Sequence, residues 1–296
     1  MKYIVTGGAG FIGSNLVDAL VDAGHEVHII DNLDGGKEEN INSKAIFHKV
    51  DIRNLEEIKP IFNGIDGVFH LAALPRVQYS IEHPVETAEV NITGTQNILL
   101  AAKEAGVKRI VYSASSAAYG DQTVMPLVEA MLPQPKSPYG LQKYVGEHLM
   151  RLWSEIYGIE TVSLRYFNVY GSRQSSDGAY ALVIALFLKQ KKEGKPMTIT
   201  GDGFQTRDFT HVRDVVRANM LAMESKKVGK GEVMNIGGGK NYSVLDIAKL
   251  IGGEYTFIPA RIEPKNTLAD TKRAEALIDW KPQENFEKGI LELKNL

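Results

Sequence analysis

The chain has 296 residues, of which 44% are hydrophobic and 24% are charged, and its formal net charge is -2. These values are ordinary for a globular protein and leave room for one large domain or two coupled ones. Because the sequence holds no cysteine, disulfides, thiolate nucleophiles and thiolate metal ligands are excluded, which suits the reducing cytoplasm.

Membrane and nucleic-acid functions are also disfavoured. Residues 1–5 start a strand directly and lack the basic, apolar and small-residue regions of a signal peptide. No uninterrupted apolar run approaches membrane-spanning length. Basic residues are scattered, and their densest cluster, at 189–195, is typical of a helix end. We therefore expect a cytoplasmic protein with no membrane partner and no nucleic-acid partner.

Short β-branched runs alternate with amphipathic stretches through the first half of the chain. The predicted helices stop at Gly24, Gly106 and Gly158, which suit the left-handed C-terminal cap. Ser137 and Pro138 are a typical N-cap and first helical residue. The predicted strands are 3–6, 26–30, 67–71, 109–113 and 161–165, and the predicted helices are 11–23, 85–105 and 138–157.

This alternation predicts an α/β fold with a Rossmann-like, doubly wound parallel sheet and ligands beyond the carboxyl ends of the strands. From about residue 168 the rhythm loosens, with a helix near 181–192 and two units at 206–224 and 232–251. We therefore predict a nucleotide-binding domain at 1–167, which also receives a strand from about 232–237. A smaller α/β substrate-binding lobe is predicted mainly at 168–296.

A glycine-rich segment, TGGAGFIG at residues 6–13, follows the first predicted strand. Its glycines stand where a backbone turns tightly and approaches a pyrophosphate held by helix amides. Asp31 follows at about the expected spacing, where a carboxylate accepts hydrogen bonds from a ribose and repels a 2′-phosphate. We expect NAD rather than NADP, the alternative being that Asp31 merely caps a turn with Asn32.

No metal site is expected. The seven histidines are scattered along the chain. His25 and His28 are three residues apart in a predicted strand, so their side chains would face opposite sides of the sheet.

Tyr139 and Lys143 lie four residues apart on the helix that begins at Pro138, so both project from one face. An ammonium beside a phenol lowers the phenol's pKa from about 10 toward neutrality, which would make Tyr139 a general base. The strand ending at residues 113–116 would bring serine hydroxyls to the same sheet edge. A half-buried tyrosine beside a surface lysine, and a polar loop, are the structural alternatives.

The order of these motifs resembles the extended short-chain dehydrogenase/reductase family, in particular its NAD-dependent epimerase/dehydratases, and is most similar to UDP-glucose 4-epimerases. The resemblance runs over essentially the whole chain. The motifs that carry it are the glycine segment, Ser115 before Tyr119-Gly120, Ser137-Pro138-Tyr139 with Lys143, Arg165-Tyr166-Phe167-Asn168, Gly201-Asp202-Gly203, Thr206-Arg207-Asp208-Phe209 and the segment 261–270.

The resemblance implies bound NAD and a nucleotide-sugar substrate, and it assigns roles residue by residue. Ser115, Tyr139 and Lys143 match the catalytic triad of the family. The positions that match the NAD site are Gly7, Gly10, Phe11, Ile12, Gly13, Asp31, Asn32, Asp51, Ile52, Leu71, Ala72, Ala73, Asn91, Ser113, Tyr139, Lys143 and Tyr166. The positions that match the substrate site are Ser115, Asn168, Arg207, Arg261, Glu263 and Thr267.

The implied reaction is epimerisation of a UDP-hexose at C4. The Tyr139 phenolate, assisted by Ser115, takes the proton of the C4 hydroxyl while C4 passes a hydride to NAD, which gives a 4-keto sugar. If the sugar then turns about its diphosphate, the hydride returns to the other face. Thr267 falls near the position that gates the sugar pocket in the family, and a small residue there could admit an N-acetyl group, so glucose/galactose and their N-acetylated forms both stay open.

Some positions bear on which member of the family this is. Members that eliminate water or carbon dioxide carry an acidic residue just after the catalytic Ser/Thr, whereas this chain has Ser116-Ala117-Ala118, which favours epimerisation. Thr200 stands where many UDP-sugar epimerases have an aromatic residue that can stack on uracil. Because this aromatic residue is absent, the identity of the nucleotide stays open. The 261–263 stretch is one residue shorter than usual, so the role of Glu263 also stays open.

Other functions of the same family also stay open. An epimerase of a UDP-uronate or a dTDP-sugar, or an enzyme that reduces a keto-sugar with NADPH, would share most of these motifs, although Asp31 argues against NADPH. A catalytically idle NAD-sensing protein is a further alternative, which the presence of Tyr139 and Lys143 disfavours. Relatives pair through helices that match 85–105 and 138–157, so the resemblance also implies a homodimer.

Overall fold

The computed structural model describes residues 1–175, 182–259 and 266–295. Within these ranges the strands are β1 (Lys2–Thr6), β2 (Glu26–Ile30), β3 (Ile46–His48), β4 (Gly67–His70), β5 (Arg109–Ser115), β6 (Glu160–Tyr166), β7 (Val169–Tyr170), β8 (Met197–Thr200), β9 (Thr206–Asp208), β10 (Thr210–His211), β11 (Lys230–Ile236), β12 (Asn241–Ser243) and β13 (Tyr255–Ile258).

The same ranges contain helices on both sides of the sheet. None of these helices is both long and apolar enough to cross a membrane. They are α1 (Phe11–Asp22), α2 (Leu55–Ile58), α3 (Val77–Glu82), α4 (Pro84–Ala88), α5 (Thr95–Glu104), α6 (Pro138–Tyr157), α7 (Val183–Lys192), α8 (Val212–Glu224), α9 (Val244–Ile251), α10 (Lys272–Ile278) and α11 (Phe286–Lys294).

Seven parallel strands form the main sheet in the order β11-β6-β5-β4-β1-β2-β3, which confirms the predicted doubly wound fold. β1 lies between β2 and β4, so the chain winds outward from β1 in both directions. In such folds the crevice beyond the carboxyl ends of the strands at this switch point binds the ligand.

Apolar layers cover both faces of the sheet. On one face Leu16 of α1 and Val215 of α8 belong to one buried cluster. On the other face Ile98 of α5 and Met150 of α6 belong to a second. Burial on both faces explains why the central strands are continuous apolar runs rather than alternating ones.

The predicted helix ends are confirmed by the backbone. Gly24, Gly106 and Gly158 have φ values of 82°, 71° and 72°, in the left-handed region that favours glycine. The Ser137 side chain caps α6 by accepting a hydrogen bond from the Gly140 amide. These termini were predictable because local chemistry alone determines them.

The predicted helix at 85–105 is not uniform. It begins at Pro84 and contains a π-helical turn, Glu89–Gly94, between α4 and α5. In this turn Gly94 packs closely against Ile52. A Cβ on Gly94 would lie 2.5 Å from the Ile52 Cδ1 atom, so a larger side chain would clash there. Such π-helical turns occur frequently at functional sites.

The second half of the chain forms three small sheets and returns one strand to the main sheet. β7 pairs with β10, β8 with β13, and β9 with β12. α7, α9 and α11 supply a third apolar cluster that includes Phe187, Ile247 and Ile290. β11 pairs with β6, which confirms the predicted return, whereas the division of the chain at residue 167 stays a prediction.

Arg109 joins the start of β5 to the end of α8. Its Nη1 atom donates to the carbonyl oxygens of Ala222, Met223 and Ser225 at 3.0, 2.8 and 2.7 Å, and its Nε atom donates to Glu160 at 2.7 Å. The last carbonyls of a helix lack intrahelical partners, so a cation here satisfies them and complements the helix dipole.

We expect the substitution Arg109→Met to lower the free energy of unfolding by about 3 kcal/mol, because it leaves buried carbonyls and Glu160 without a donor. Urea denaturation measures the change. The matched control is Arg151→Met, which removes an exposed ion pair with Glu155 and should cost no more than about 0.5 kcal/mol. Equal losses in the two variants would contradict this role of Arg109.

Candidate active site

The glycine segment turns tightly between β1 and α1. Gly7 has a φ of 71°, and a Cβ there would lie 2.8 Å from the Ala72 amide nitrogen. A Cβ on Gly13 would lie 2.1 Å from the Gly7 carbonyl oxygen, so only glycine lets α1 start this close to the strand. The amides of Phe11 and Ile12, in the first turn of α1, lie where a helix leaves its N–H groups without intrahelical partners.

Gly10 is the N-cap residue of α1. Because it has no side chain, the helix N-terminus stays accessible to an anion. The five predicted positions of this segment therefore form one glycine cradle, which has the close backbone approach and the amide donors that the diphosphate of a dinucleotide requires. These positions are Gly7, Gly10, Phe11, Ile12 and Gly13.

Asp31 directly follows β2 and is 8% exposed. Its Oδ2 atom accepts a hydrogen bond from the Ala9 amide at 3.0 Å, and its Oδ1 atom accepts one from the Leu33 amide at 2.8 Å. Burial raises the pKa of Asp31, although both amide bonds oppose this shift. The carboxylate is thus fixed to the glycine segment and caps a turn, and its expected contact with a ribose stays a prediction.

Asn32 and Asp51 contact each other on the same side of the cradle. The Asn32 Nδ2 atom donates to Asp51 at 3.0 Å, and Arg53 donates to Asp51 at 2.8 Å. Burial raises the pKa of Asp51, but the hydrogen bonds from Arg53 and Asn32 outweigh it, so the pKa lies below its usual value. The neighbouring Ile52 is buried against Gly94.

The segment after β4 lies across from the glycine segment. The amides of Leu71 and Ala72 both donate to the Thr6 Oγ1 atom at 3.1 Å. Ala73 follows and is half-buried. Asn91, in the π-helical turn, is 2% exposed and completes this group of predicted cofactor positions.

Ser115 and Tyr139 are brought together. Ser115 is the last residue of β5, Tyr139 is in the first turn of α6, and their side chains are neighbours at this sheet edge. The Ser115 Oγ atom accepts a hydrogen bond from the Ala117 amide at 3.1 Å. Burial raises the pKa of Tyr139, and the nearby Ser115 hydroxyl opposes that shift.

Lys143 lies deep beside this pair, at 2% exposure. Its Nζ atom donates to the Ser113 carbonyl oxygen at 2.7 Å and lies 4.9 Å from the centre of the Tyr112 ring. Burial lowers the pKa of Lys143 to about 7. The expectation that Lys143 lowers the pKa of Tyr139 was wrong for this structure: the phenol's pKa is raised by burial, and Ser115 is the group that opposes it.

Tyr166 ends β6 opposite Ser115 in the strand ladder. Its hydroxyl donates to the Asn219 Oδ1 atom at 2.9 Å, and burial raises its pKa. The phenol therefore joins the sheet to α8, and its predicted contact with a cofactor stays a prediction.

Three predicted substrate positions gather around β9. Asn168 has a φ of 30° and donates from Nδ2 to the Asp208 carbonyl oxygen at 2.7 Å. The Thr267 Oγ1 atom accepts a hydrogen bond from the Asp208 amide at 3.2 Å. Arg207 precedes Asp208 and is 9% exposed. Non-glycine residues with positive φ cluster at functional sites, which agrees with a binding role for Asn168.

Two further predicted substrate positions, Arg261 and Glu263, lie outside the described residues. Their roles stay predictions.

Sequence reasoning missed His70 and Gln142. His70 is fully buried and bonds Thr6 at 2.7 Å and Thr95 at 2.9 Å. Gln142 is 4% exposed on the buried face of α6. The sequence offered a signal for Gln142. It is a polar residue three positions after Tyr139 and directly before Lys143, where the helical period predicts an inward side chain.

The chemistry available here is proton transfer at a substrate hydroxyl, next to a dinucleotide cradle. Tyr139 and Ser115 supply the transferable protons. In the described part of the chain, no group of three or more His, Asp or Glu side chains is arranged to hold a metal ion.

Comparisons with known proteins agree with this geometry. The family model described as the NAD dependent epimerase/dehydratase family matches residues 3–237. A Methanocaldococcus jannaschii relative, itself assigned only provisionally as a UDP-glucose 4-epimerase, is 41% identical over 301 residues, which are 99% of this chain and 97% of its own.

Solved structures give the same result. A UDP-glucose 4-epimerase of Thermotoga maritima with UDP-glucose superposes with a TM-score of 0.96 at 38% identity, covering 100% of this chain and 98% of its own. A UDP-N-acetylglucosamine 4-epimerase of Methanobrevibacter ruminantium gives a TM-score of 0.94 at 36% identity, covering 99% and 97%. The chain therefore belongs to the NAD dependent epimerase/dehydratase family.

Proposed function

We propose that this protein is an NAD-dependent enzyme that inverts a UDP-hexose at C4, interconverting UDP-glucose and UDP-galactose or their N-acetylated forms through a transient 4-keto sugar. The observation that carries the proposal is the placement of Ser115 next to Tyr139, with Lys143 on the same buried face of α6, at the sheet edge where the glycine cradle opens. Similar structures of UDP-glucose and UDP-N-acetylglucosamine 4-epimerases support the same substrate class.

The residues that would hold NAD are those of the glycine cradle, Asp31, the pair of Asn32 and Asp51, and the segment after β4. NAD, when bound, accepts a hydride from C4 of the sugar and returns it to the opposite face. Asp31 favours NAD over NADP, because a buried carboxylate repels a 2′-phosphate.

Tyr139 moves the proton in this proposal. Its phenolate takes the proton of the C4 hydroxyl, and the phenol gives it back to the same oxygen when the inverted product forms. Ser115 assists, because its oxygen already accepts the Ala117 amide, which leaves its hydroxyl hydrogen available to the phenolate. A hydrogen bond to the charged form stabilises that form.

The turn after Ser115 favours epimerisation over elimination. Residues Ser116–Ala118 form one 3-10 turn after β5 and carry no carboxyl group. Elimination of water or carbon dioxide would need an acid or base at this place, whereas epimerisation needs only the proton exchange at the C4 oxygen.

We assign the two ligands to different parts of the chain. Residues 1–167 and β11 would bind NAD, and residues 168–296 would mainly bind the nucleotide sugar. Asn168, Arg207 and Thr267 lie together around β9, and Arg261 and Glu263 would add to them. The absence of cysteine agrees with a cytoplasmic enzyme.

The enzyme is also proposed to be a homodimer. Leu141, Leu152 and Ile156 are 51%, 39% and 66% exposed, and their spacing places them on one face of α6. A stripe of exposed apolar side chains along a long helix is typical of a surface that packs against another helix, here α6 of a second copy.

The first test is the reaction itself. NMR of reactions with UDP-glucose, UDP-N-acetylglucosamine, UDP-glucuronate and dTDP-glucose should show C4 inversion of the first two. In Tyr139→Phe we expect kcat to fall roughly 10²- to 10⁴-fold, since the proton carrier is removed. Tyr144→Phe, on the same helix, should keep the wild-type rate. A near wild-type rate in Tyr139→Phe would contradict the mechanism.

The pH dependence of stability tests the burial of Lys143. Burial lowers its pKa from 10.5 to about 7, so between these values the folded chain binds fewer protons at this group than the unfolded chain does. Lys143 therefore makes the free energy of unfolding rise with pH over this window, and that stability is lost as the pH falls toward 7.

We expect the difference in unfolding free energy between wild type and Lys143→Met to shift in favour of wild type when the pH is raised from about 7 to about 9. Chemical denaturation at several pH values measures it. Lys195→Met removes an exposed lysine and should show a difference that does not vary with pH. A pH-independent difference for Lys143→Met would show that the lysine titrates normally.

The double substitution Leu152→Asp and Ile156→Asp should convert the dimer into a monomer, because it places charges in an apolar interface. Light scattering after gel filtration measures the mass. Arg151→Asp adds a carboxylate directly before Leu152 in the sequence but off the stripe, and this control should leave the mass unchanged. A dimeric double variant would place the interface elsewhere.

A further inference from the structure

We propose that Gln142 is a positioning residue, which holds the cofactor segment after β4 in register with the catalytic helix α6. The inference rests on the proposed function, since it concerns how Tyr139 and Lys143 are placed relative to NAD. Gln142 lies between these two residues in the sequence and shares their buried face of α6.

Asn91 clamps the segment after β4 at its far end. Its Oδ1 atom accepts a hydrogen bond from the Leu74 amide at 2.8 Å, and its Nδ2 atom donates to the Leu74 carbonyl oxygen at 3.2 Å. One carboxamide therefore satisfies both backbone groups of Leu74. The remaining hydrogen of Nδ2 points to Gln142, whose Oε1 atom lies 2.8 Å away.

Gln142 connects Asn91 to α4. Its Nε2 atom donates to the Thr87 Oγ1 atom at 2.9 Å, and Thr87 in turn donates to the His83 carbonyl oxygen at 3.0 Å. Thr87 and Gln142 are 0% and 4% exposed. Each donor meets an acceptor, and turning the Gln142 amide over would place N–H groups against each other, so its orientation is fixed.

The near end of the segment is clamped by His70. Thr95 donates to the Asn91 carbonyl oxygen at 2.8 Å, so it must accept from the His70 Nε2 hydrogen at 2.9 Å. Thr6 accepts two backbone amides, so its own hydrogen goes to the His70 Nδ1 atom at 2.7 Å. His70 is thus a neutral imidazole in one tautomer, which agrees with its pKa of about 3 caused by burial and then by the Lys143 charge.

Both ends of the segment 71–74 are therefore held by one buried network, and Gln142 is its member on α6. Removing the Gln142 amide frees this segment to shift against Tyr139 and Lys143 while the residues predicted to touch the sugar stay in place. Displacements of about 1 Å in such positioning can cost roughly a hundredfold in rate.

The test is Gln142→Leu, which keeps the volume and removes the amide. We expect the Kd for NAD to rise and kcat to fall, each by roughly tenfold, with the KM for the sugar nucleotide unchanged. Calorimetric or fluorescence titration of NAD measures the first effect. This measurement does not depend on the sugar, so it decides the inference even if the proposed reaction fails.

Gln190→Leu is the matched control. Gln190 is a half-buried glutamine on α7, outside the predicted cofactor and substrate positions, and it makes two hydrogen bonds with Thr198, at 2.9 and 3.0 Å. It should lose comparable stability with NAD affinity and kcat unchanged. Equal NAD affinity and kcat in the two variants would overturn the inference, because Gln142 would then be only structural.

Thr87→Val decides the question if Gln142→Leu does not fold. It leaves α6 intact and removes the main acceptor of the Gln142 amide. We expect a smaller weakening of NAD binding in the same direction, and an unchanged Kd for NAD would overturn the inference.

Discussion

The site depends on how closely α6 approaches the carboxyl end of β5. Two glycines permit this contact: a Cβ on Gly140 would lie 2.6 Å from the Ala117 carbonyl oxygen, and one on Gly146 would lie 2.2 Å from the Tyr112 hydroxyl oxygen. The helix carries Tyr139 directly before the first of these glycines and Lys143 between the two. The close approach is what lets a lysine reach a backbone carbonyl of the strand and a tyrosine reach the serine at the end of the strand.

A buried ion pair fixes the same helix to the next strand. Arg165 of β6 donates to both carboxylate oxygens of Glu147 at 2.8 and 2.7 Å, and both side chains are 3% exposed. Such a pair adds little net stability, because removing two charges from water offsets their attraction, but it penalises any other placement of α6. The position of α6 is thus specified twice, by shape and by charge.

Much of this was predictable from the sequence, because it follows from local chemistry. Gly7, Gly158 and the Ser137 cap were predicted from φ requirements and unsatisfied helix amides, and the alternation of strands and helices predicted the sheet. The π-helical turn and the pairing of Asn91 with Gln142, 51 residues apart, could not be predicted, since they depend on packing between distant segments. The error about the pKa of Tyr139 has the same origin: spacing on a helix places Lys143 near the phenol but does not reveal Ser113 as its partner or the extent of burial.

The substrate side of the site depends on one carboxylate in a comparable way. Asp208 is fully buried and accepts hydrogen bonds from the amides of Gly238 and Ala269 at 2.6 and 2.9 Å, so it joins the chain after β11 to the segment that carries Thr267. Burial raises its pKa to about 6, while the amide bonds oppose the shift. Because Asn168 also bonds the Asp208 backbone, three distant segments that would face the sugar nucleotide share one anchor. A site that must hold a diphosphate while its sugar turns needs such a rigid anchor on the nucleotide side, and the buried amide network around Gln142 supplies its counterpart on the cofactor side.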